Sequence, residues 1–261
     1  MERLIKIGKI KPRKASEIKN SRIGIGFEKL DRKVFNPEKA YDKLAMIGAK
    51  WVRIQSGWER TEQEKGVYDF EWLDSIVDNL LERGLVPWIN LAYGNGLYDD
   101  DAAKVFGAVG CPPVKSEEAK KGWADYITAL AAHMKGRISY YEVWNEPDGE
   151  WCWKHGPNGK EYGQFVVDTS VALKKGDSSA KVIGGAICMA KPLDFAYDAF
   201  SVGMGEHIDA ISFHEYVIDE TVVFRHVKAL RGLCNRFNPN IEIIQGESGS
   251  QSRSDGRGAI R

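Results

Sequence analysis

A chain of 261 residues that is 43% hydrophobic can bury one substantial core, and its 37 Lys plus Arg against 37 Asp plus Glu leave no net charge. That balance excludes the strong field with which a protein gathers nucleic acid or an anionic membrane, so the expected partner is a neutral molecule. Charges interrupt the first apolar run, Met1 to Ile7, and no stretch is long enough to span a bilayer. The chain therefore reads as soluble, cytoplasmic as given, or secreted or periplasmic if a signal was removed ahead of Met1.

In chain order, Leu4 to Ile10 alternates apolar with polar residues, as a half-exposed edge strand does, and residues 1–20 are expected to be an extension ahead of a main domain over 21–261. Seven β-rich runs follow, at Arg22 to Phe27, Trp51 to Gln55, Val86 to Ala92, Ile138 to Trp144, Lys181 to Ala186, Ala210 to Tyr216 and Ile241 to Glu247. Between the first two, Asn36-Pro37-Glu38 opens a helix over Lys39 to Ile47 and Gly48 closes it. Asp69 caps the next, whose Leu73, Ile76, Val77, Leu80 and Leu81 share one face before Gly84. Further helices are expected at Ser116 to Lys135, Tyr162 to Lys175, Pro192 to Phe200 and Thr221 to Phe237. Strands alternating with helices at this period predict an α/β fold, a (β/α)8 TIM barrel.

Two departures from regularity stand out. The connection from Tyr93 to Lys115 is too long and turn-rich for a minimal connector and is expected to shape the site. After the seventh run, Ser248 to Arg261 is too polar and glycine-rich to form an eighth strand and helix. The barrel is therefore expected to lack its eighth βα unit or to be truncated before it. The four cysteines, Cys111, Cys152, Cys188 and Cys234, have no CxxC spacing and read as free thiols, a Cys111 to Cys152 bridge being the lesser alternative. No cofactor or metal is expected. The Asp99-Asp100-Asp101 run lacks the glycine spacing of a calcium loop and reads as solvated.

In a parallel barrel the strand C-termini form one face, where residues distant in sequence converge. Trp144-Asn145-Glu146-Pro147-Asp148 ends the fourth run and Glu247 ends the seventh, so two carboxyl groups are aimed at one mouth. That pair is the minimum apparatus for cleaving a glycosidic bond. Arg53 in the second run, Asn90 in the third, and His214 with Tyr216 in the sixth fall at the same end. Glu146, beside Trp144, is expected to be partly desolvated and so to favour its neutral form, whereas Arg53 and Tyr216 are donors that would keep Glu247 ionised. Of the aromatic side chains, Trp151 and Trp153 are the candidates for stacking on a sugar, with His155 in the same loop. Glu59 and Glu62 read as loop anchors, Glu142 as facing the surrounding helices with a charge partner, and Glu215 stays open.

Those motifs, with Gly57-Trp58-Glu59-Arg60-Thr61-Glu62-Gln63-Glu64-Lys65-Gly66-Val67-Tyr68-Asp69, resemble clan A of the glycoside hydrolases. The likeness runs from Arg22 to Gly249 and is greatest to family 39, which includes β-xylosidases and α-L-iduronidases. The resemblance implies a retaining double displacement without cofactor, acting on a neutral oligosaccharide, polysaccharide or glycoside. It makes Glu146 the acid/base, Glu247 the nucleophile and Asn145 a partner for the sugar 2-hydroxyl, with His214 lining the sugar site. A carbohydrate-binding or inactive barrel without turnover is the competing reading. A metal-dependent barrel would need at least three converging ligands; the two glutamates and His214 supply no more than that minimum, and this reading ranks below the other two.

Overall fold

The computed structural model describes residues 7–9, 11–188, 193–216 and 220–249. Among them, seven strands form one parallel sheet in sequential order: β1 (Gly24–Gly26), β2 (Trp51–Gln55), β3 (Val86–Leu91), β4 (Tyr140–Val143), β5 (Lys181–Cys188), β6 (Ala210–His214) and β7 (Glu242–Glu247). The helices are α1 (Tyr41–Met46), α2 (Trp58–Thr61), α3 (Glu71–Glu82), α4 (Glu117–Met134), α5 (Gly159–Gly176), α6 (Asp194–Ser201), α7 (Met204–His207) and α8 (Glu220–Phe237). All seven expected runs are strands, trimmed or extended by a residue or two. The short α2 and α7 had no periodicity to announce them.

The local signals act through the expected atoms. Asn36 accepts from Glu38 N and Asp69 from Glu71 N, while Ser116 caps α4 by accepting from Ala119 N. Gly48 and Gly84 take φ values of 85° and 75° where their helices stop. Four residues of β2 and five of β3 are buried, as both-face coverage by strands and helices requires. Leu73, Ile76, Val77 and Leu80 bury the inner stripe of α3.

The sheet curls into a barrel that is open at one seam. The outer edges of β1 and β7 have no strand partner among the described residues. A cavity of about 1420 Å3 lies there, lined by β1, by Ile243 and Gly246 of β7, and by Phe224 and Val227 of α8. The seam lies where an eighth strand would pair; of Ser248 to Arg261, from which no such unit was expected, residues 250–261 lie outside the described residues. Leu4 to Ile10, the expected edge strand, lies largely outside the described residues. Of the extension, Ala15–Glu17 is a 3-10 turn at the foot of the barrel, with Ala15 fully buried and its carbonyl accepting from Lys50 Nζ at 3.1 Å. Among the described residues no helix is long and apolar enough to cross a membrane.

The loop after β2 is held by an aromatic knot. Gly57, at φ 58°, turns the chain into α2, and a Cβ there would stand 2.6 Å from Asp31 Cβ. Trp58 then stacks on Tyr98 and Tyr126 and meets Trp123 edge-on. Glu62, fully buried, accepts from Trp58 Nε1, Tyr98 Oη and Gly66 N, and so anchors the loop as the sequence suggested. Trp58→Ala empties this knot and leaves the acceptor Glu62 Oε2 without its indole donor. It is expected to lower unfolding free energy by about 3–5 kcal/mol, read as a shift in the urea midpoint; a midpoint unchanged from the parent would show that the knot carries no such load.

Candidate active site

Arg53 projects from the middle of β2, 1% exposed, into the mouth of the barrel. Its guanidinium donates to three carboxylates: Nε to Glu142 at 2.5 Å, and Nη1 to both Glu28 and Glu247 at 2.6 Å. Nη2 donates to Asn145 Oδ1 at 2.9 Å. Burial works to lower the Arg53 pKa, but Glu142, Glu28 and Glu247 together push it well above its ordinary value, so the cation is permanent.

The end of β4 departs from regular strand geometry. Trp144 and Glu146 adopt φ values of 66° and 45°, in the left-handed region that non-glycine residues avoid. Glu146 N donates to Ala186 O at 2.9 Å, at a bulge in β5 where Gly185 and Ala186 also have positive φ. Trp144 turns into the core, donating Nε1 to Cys152 O. Asn145 and Glu146 both turn to the mouth.

Glu146 Oε1 lies 3.1 Å from His214 Nδ1, and its Oε2 accepts from Trp151 Nε1. The same Nδ1 is 3.6 Å from Glu247 Oε1, while Tyr216 Oη donates to Glu247 Oε2 at 2.7 Å. One oxygen of Glu146, one of Glu247 and a ring nitrogen of His214 all lie within 4.8 Å of one another. Among the described residues these three side chains have the spacing to ligate a cation, so the three-ligand minimum set for a metal site is met. Their donors and acceptors are equally engaged with one another and with Arg53, Trp151 and Tyr216.

The electrostatics correct one expectation. Burial does raise the Glu146 pKa, but the hydrogen bonds from His214 and Trp151 and the nearby His214 outweigh it, and the carboxyl is held below its ordinary value. Glu146 is thus kept as the carboxylate rather than as the neutral acid that its aromatic neighbourhood suggested. Burial and the Glu247 carboxylate push Tyr216 upward, so its hydroxyl stays a donor.

The structure brings Arg53, Asn145, Glu146, His214, Tyr216 and Glu247 together. Trp151, 51% exposed, stands over Glu146 and donates its indole N–H to that carboxylate. Trp153 is a correction: expected to stack on a sugar, it is fully buried against Trp144, Tyr162 and Phe165, with Nε1 on Glu161. Its indole fills the space under α5 and cannot reach the mouth. His155 pairs with the same Glu161 at 2.8 Å. Glu142 is a second correction, since it faces the barrel interior and pairs with Arg53 rather than turning to the helices. Strand parity held the signal: Tyr141 and Val143 of β4 are buried in the main apolar core, which leaves Glu142 the opposite face. Glu28 was missed altogether, although it follows β1 by two residues, the strand-end position that singled out the other groups. Cys188, at the end of β5, also contributes a hydrogen bond to Glu146. Glu215 is buried and bonded to His226 at 2.5 Å. The cysteines are free thiols, and Cys152 Sγ lies 3.5 Å from Asn145 Nδ2. Lys104 and Lys115 pair with Asp101 in the acidic run.

Comparison with known proteins fits this geometry. A β-xylosidase of Caldicellulosiruptor saccharolyticus is 30% identical over 191 residues, covering 66% of this chain and 38% of that protein. A β-xylosidase of Geobacillus stearothermophilus is 29% identical over 163 residues, covering 58% and 31%. The chain thus spans well under half the length of these relatives. A solved family 39 β-xylosidase from Caulobacter crescentus superposes with a TM-score of 0.70 at 20% identity, over 93% of this chain and 56% of that one, and shares the barrel fold. The description of glycosyl hydrolases family 39 matches residues 36–229, most of the sequence, and the chain belongs to that family.

Proposed function

We propose that the chain is the catalytic barrel of a retaining glycosidase that hydrolyses O-glycosidic bonds of neutral sugars, with β-xylosides the first substrates to try. The observation that carries this reading is the pair Glu146 and Glu247, whose nearest oxygens lie within 4.8 Å across the barrel mouth. That spacing supports retention, which needs carboxyl groups about 5–5.5 Å apart, over inversion, which needs about 6.5–9.5 Å to admit a water. The two β-xylosidase relatives support the choice of sugar.

In the first step a Glu247 oxygen attacks the anomeric carbon as the bond to the leaving oxygen breaks, and Glu146 gives that oxygen its proton. The product is a glycosyl ester on Glu247. In the second step Glu146, now a carboxylate, takes a proton from water, whose oxygen attacks the anomeric carbon and releases Glu247. In this reading Arg53 and Tyr216, which donate to Glu247, hold it in line, Asn145 on Arg53 meets the 2-hydroxyl, and Trp151 serves as a platform for an apolar sugar face.

The open seam favours a second reading, binding without turnover. Among the described residues Glu247 ends a strand with one neighbour, and no residue of β7 is fully buried. Incubation with aryl β-xylosides separates the two: aryl alcohol release supports hydrolysis, and saturable binding without release supports the alternative.

Glu247→Ala is expected to cut turnover by on the order of 10^5. Azide should then restore bond cleavage only by forming a glycosyl azide of inverted configuration; continued hydrolysis at the parent rate would refute the nucleophile assignment. Trp151→Phe removes a donor that favours the Glu146 carboxylate, so the Glu146 pKa should rise and the acid form persist to higher pH. The alkaline limb of the kcat/KM profile against pH is expected to move upward; a downward move would overturn the acid role of Glu146 or the effect of this hydrogen bond.

A further inference from the structure

Arg53 is paired with more negative charge than the reaction uses. Of its three carboxylate partners, only Glu247 is placed to meet substrate as the nucleophile. Glu142 is fully buried, with its Oε2 on Arg53 Nε and 3.1 Å from Asn90 Nδ2, and it has no path to a sugar. Burial works against its charge, yet Arg53 and His214 together hold its pKa below the ordinary value. The sheet is built to admit this carboxylate. A Cβ on Gly246 of β7 would stand 3.0 Å from Glu142 Oε1 and 3.3 Å from His214 Nε2, so glycine beside the nucleophile lets both groups approach.

The need for a second anion follows from the chemistry of the covalent step. When Glu247 becomes an ester it loses its charge, and a guanidinium that is 1% exposed loses a counter-ion without losing its own charge. Were Glu247 the only partner, the intermediate would leave an uncompensated buried cation, and glycosylation would be slowed by that cost. We propose that Glu142 is a positioning residue that keeps Arg53 neutralised through the glycosyl-enzyme, with Glu28 assisting from the rim at 2.6 Å from Nη1. This rests on Glu247 being the nucleophile. The device lets Arg53 orient Glu247 before attack without holding back its electron pair during attack.

Replacing the charge while keeping the shape separates this from a packing role. In Glu142→Gln, Arg53 leans harder on Glu247, so glycosylation slows and deglycosylation quickens, the two steps moving in opposite directions. The expected result is a fall of roughly tenfold or more in kcat/KM for an aryl β-xyloside, from a buried pair that has lost one charge. Alongside it, an enzyme trapped as its 2-deoxy-2-fluoroxylosyl ester should reactivate faster than the parent ester. Glu142→Asp, which keeps the charge, should restore the parent balance between the two steps. If Glu142→Gln does not fold, Glu28→Gln at the part-buried partner should shift the same balance in the same direction by a smaller factor. Slower or unchanged reactivation in the charge-neutral variants, or an Asp variant that behaves like the Gln variant, overturns the proposal. Failure of the nucleophile assignment shows itself differently, as a parent protein that is never labelled at Glu247 by the fluorosugar.

Discussion

The buried Arg53 guanidinium is the constraint around which the barrel mouth is arranged. Arginine cannot shed its proton, so an arginine enclosed by seven strands must be met by anions. Those anions come from the end of β1 (Glu28), from within β4 (Glu142) and from the end of β7 (Glu247). Ion pairs of this kind add little net stability, because desolvation offsets attraction. Their contribution is geometric: a register slip of one residue on β4 or β7 would turn the carboxylate out of the barrel and strand the cation. The charge cluster and the strand register specify each other, and among the described residues two of the three anions, Glu28 just after β1 and Glu247 at the end of β7, lie beside the open seam.

Much of this was legible in the sequence. The apolar runs of a parallel sheet, closed by Asn, Gly or Pro, identify the strands with little ambiguity, and the convergence of strand ends then brings Arg53, Glu146, His214 and Glu247 together without reference to any contact. Side-chain direction within a strand was harder to read. Glu142 was assigned to the helix side because a charge within an apolar run is most simply placed outward, but the alternation of Tyr141 and Val143 against the core decides otherwise. Trp153 failed for a related reason. Two tryptophans spaced by one residue in a polar loop look equivalent, whereas the turn from Gly149 to Gly156 sends Trp153 inward under α5 and leaves Trp151 on the rim. Loop shape is set by close approaches that local composition does not encode.

The ionisation of Glu146 was misread because desolvation was weighed alone. An aromatic neighbourhood raises a carboxyl pKa only when its rings present apolar faces. Trp151 presents its N–H instead, and His214 adds a second polar contact, so the same residues that shield Glu146 from water also stabilise its charge. In the double displacement proposed above, this ionisation suits the second half, in which Glu146 would act as base. The acid form needed for the first half would then require substrate to draw Trp151 or His214 away from the carboxyl, coupling protonation to occupancy of the mouth.

Placing that carboxyl requires breaking the strand that delivers it. In a regular strand, side chains alternate, so Asn145 and Glu146 would lie on opposite faces and only one could reach the mouth. The positive φ at Trp144 and again at Glu146 cancels the alternation. Trp144 is driven into the core while its two successors share one face, Asn145 on Arg53 and Glu146 on His214. Conformations of this kind cost on the order of 1–3 kcal/mol each, and persist where packing over-determines them. Here the buried Trp144 indole, its bond to Cys152 O, and the Glu146 amide on the β5 bulge supply that determination. The strain at the end of β4 is therefore what sets two neighbouring polar side chains on one side of the barrel mouth, with Glu247 facing them across it.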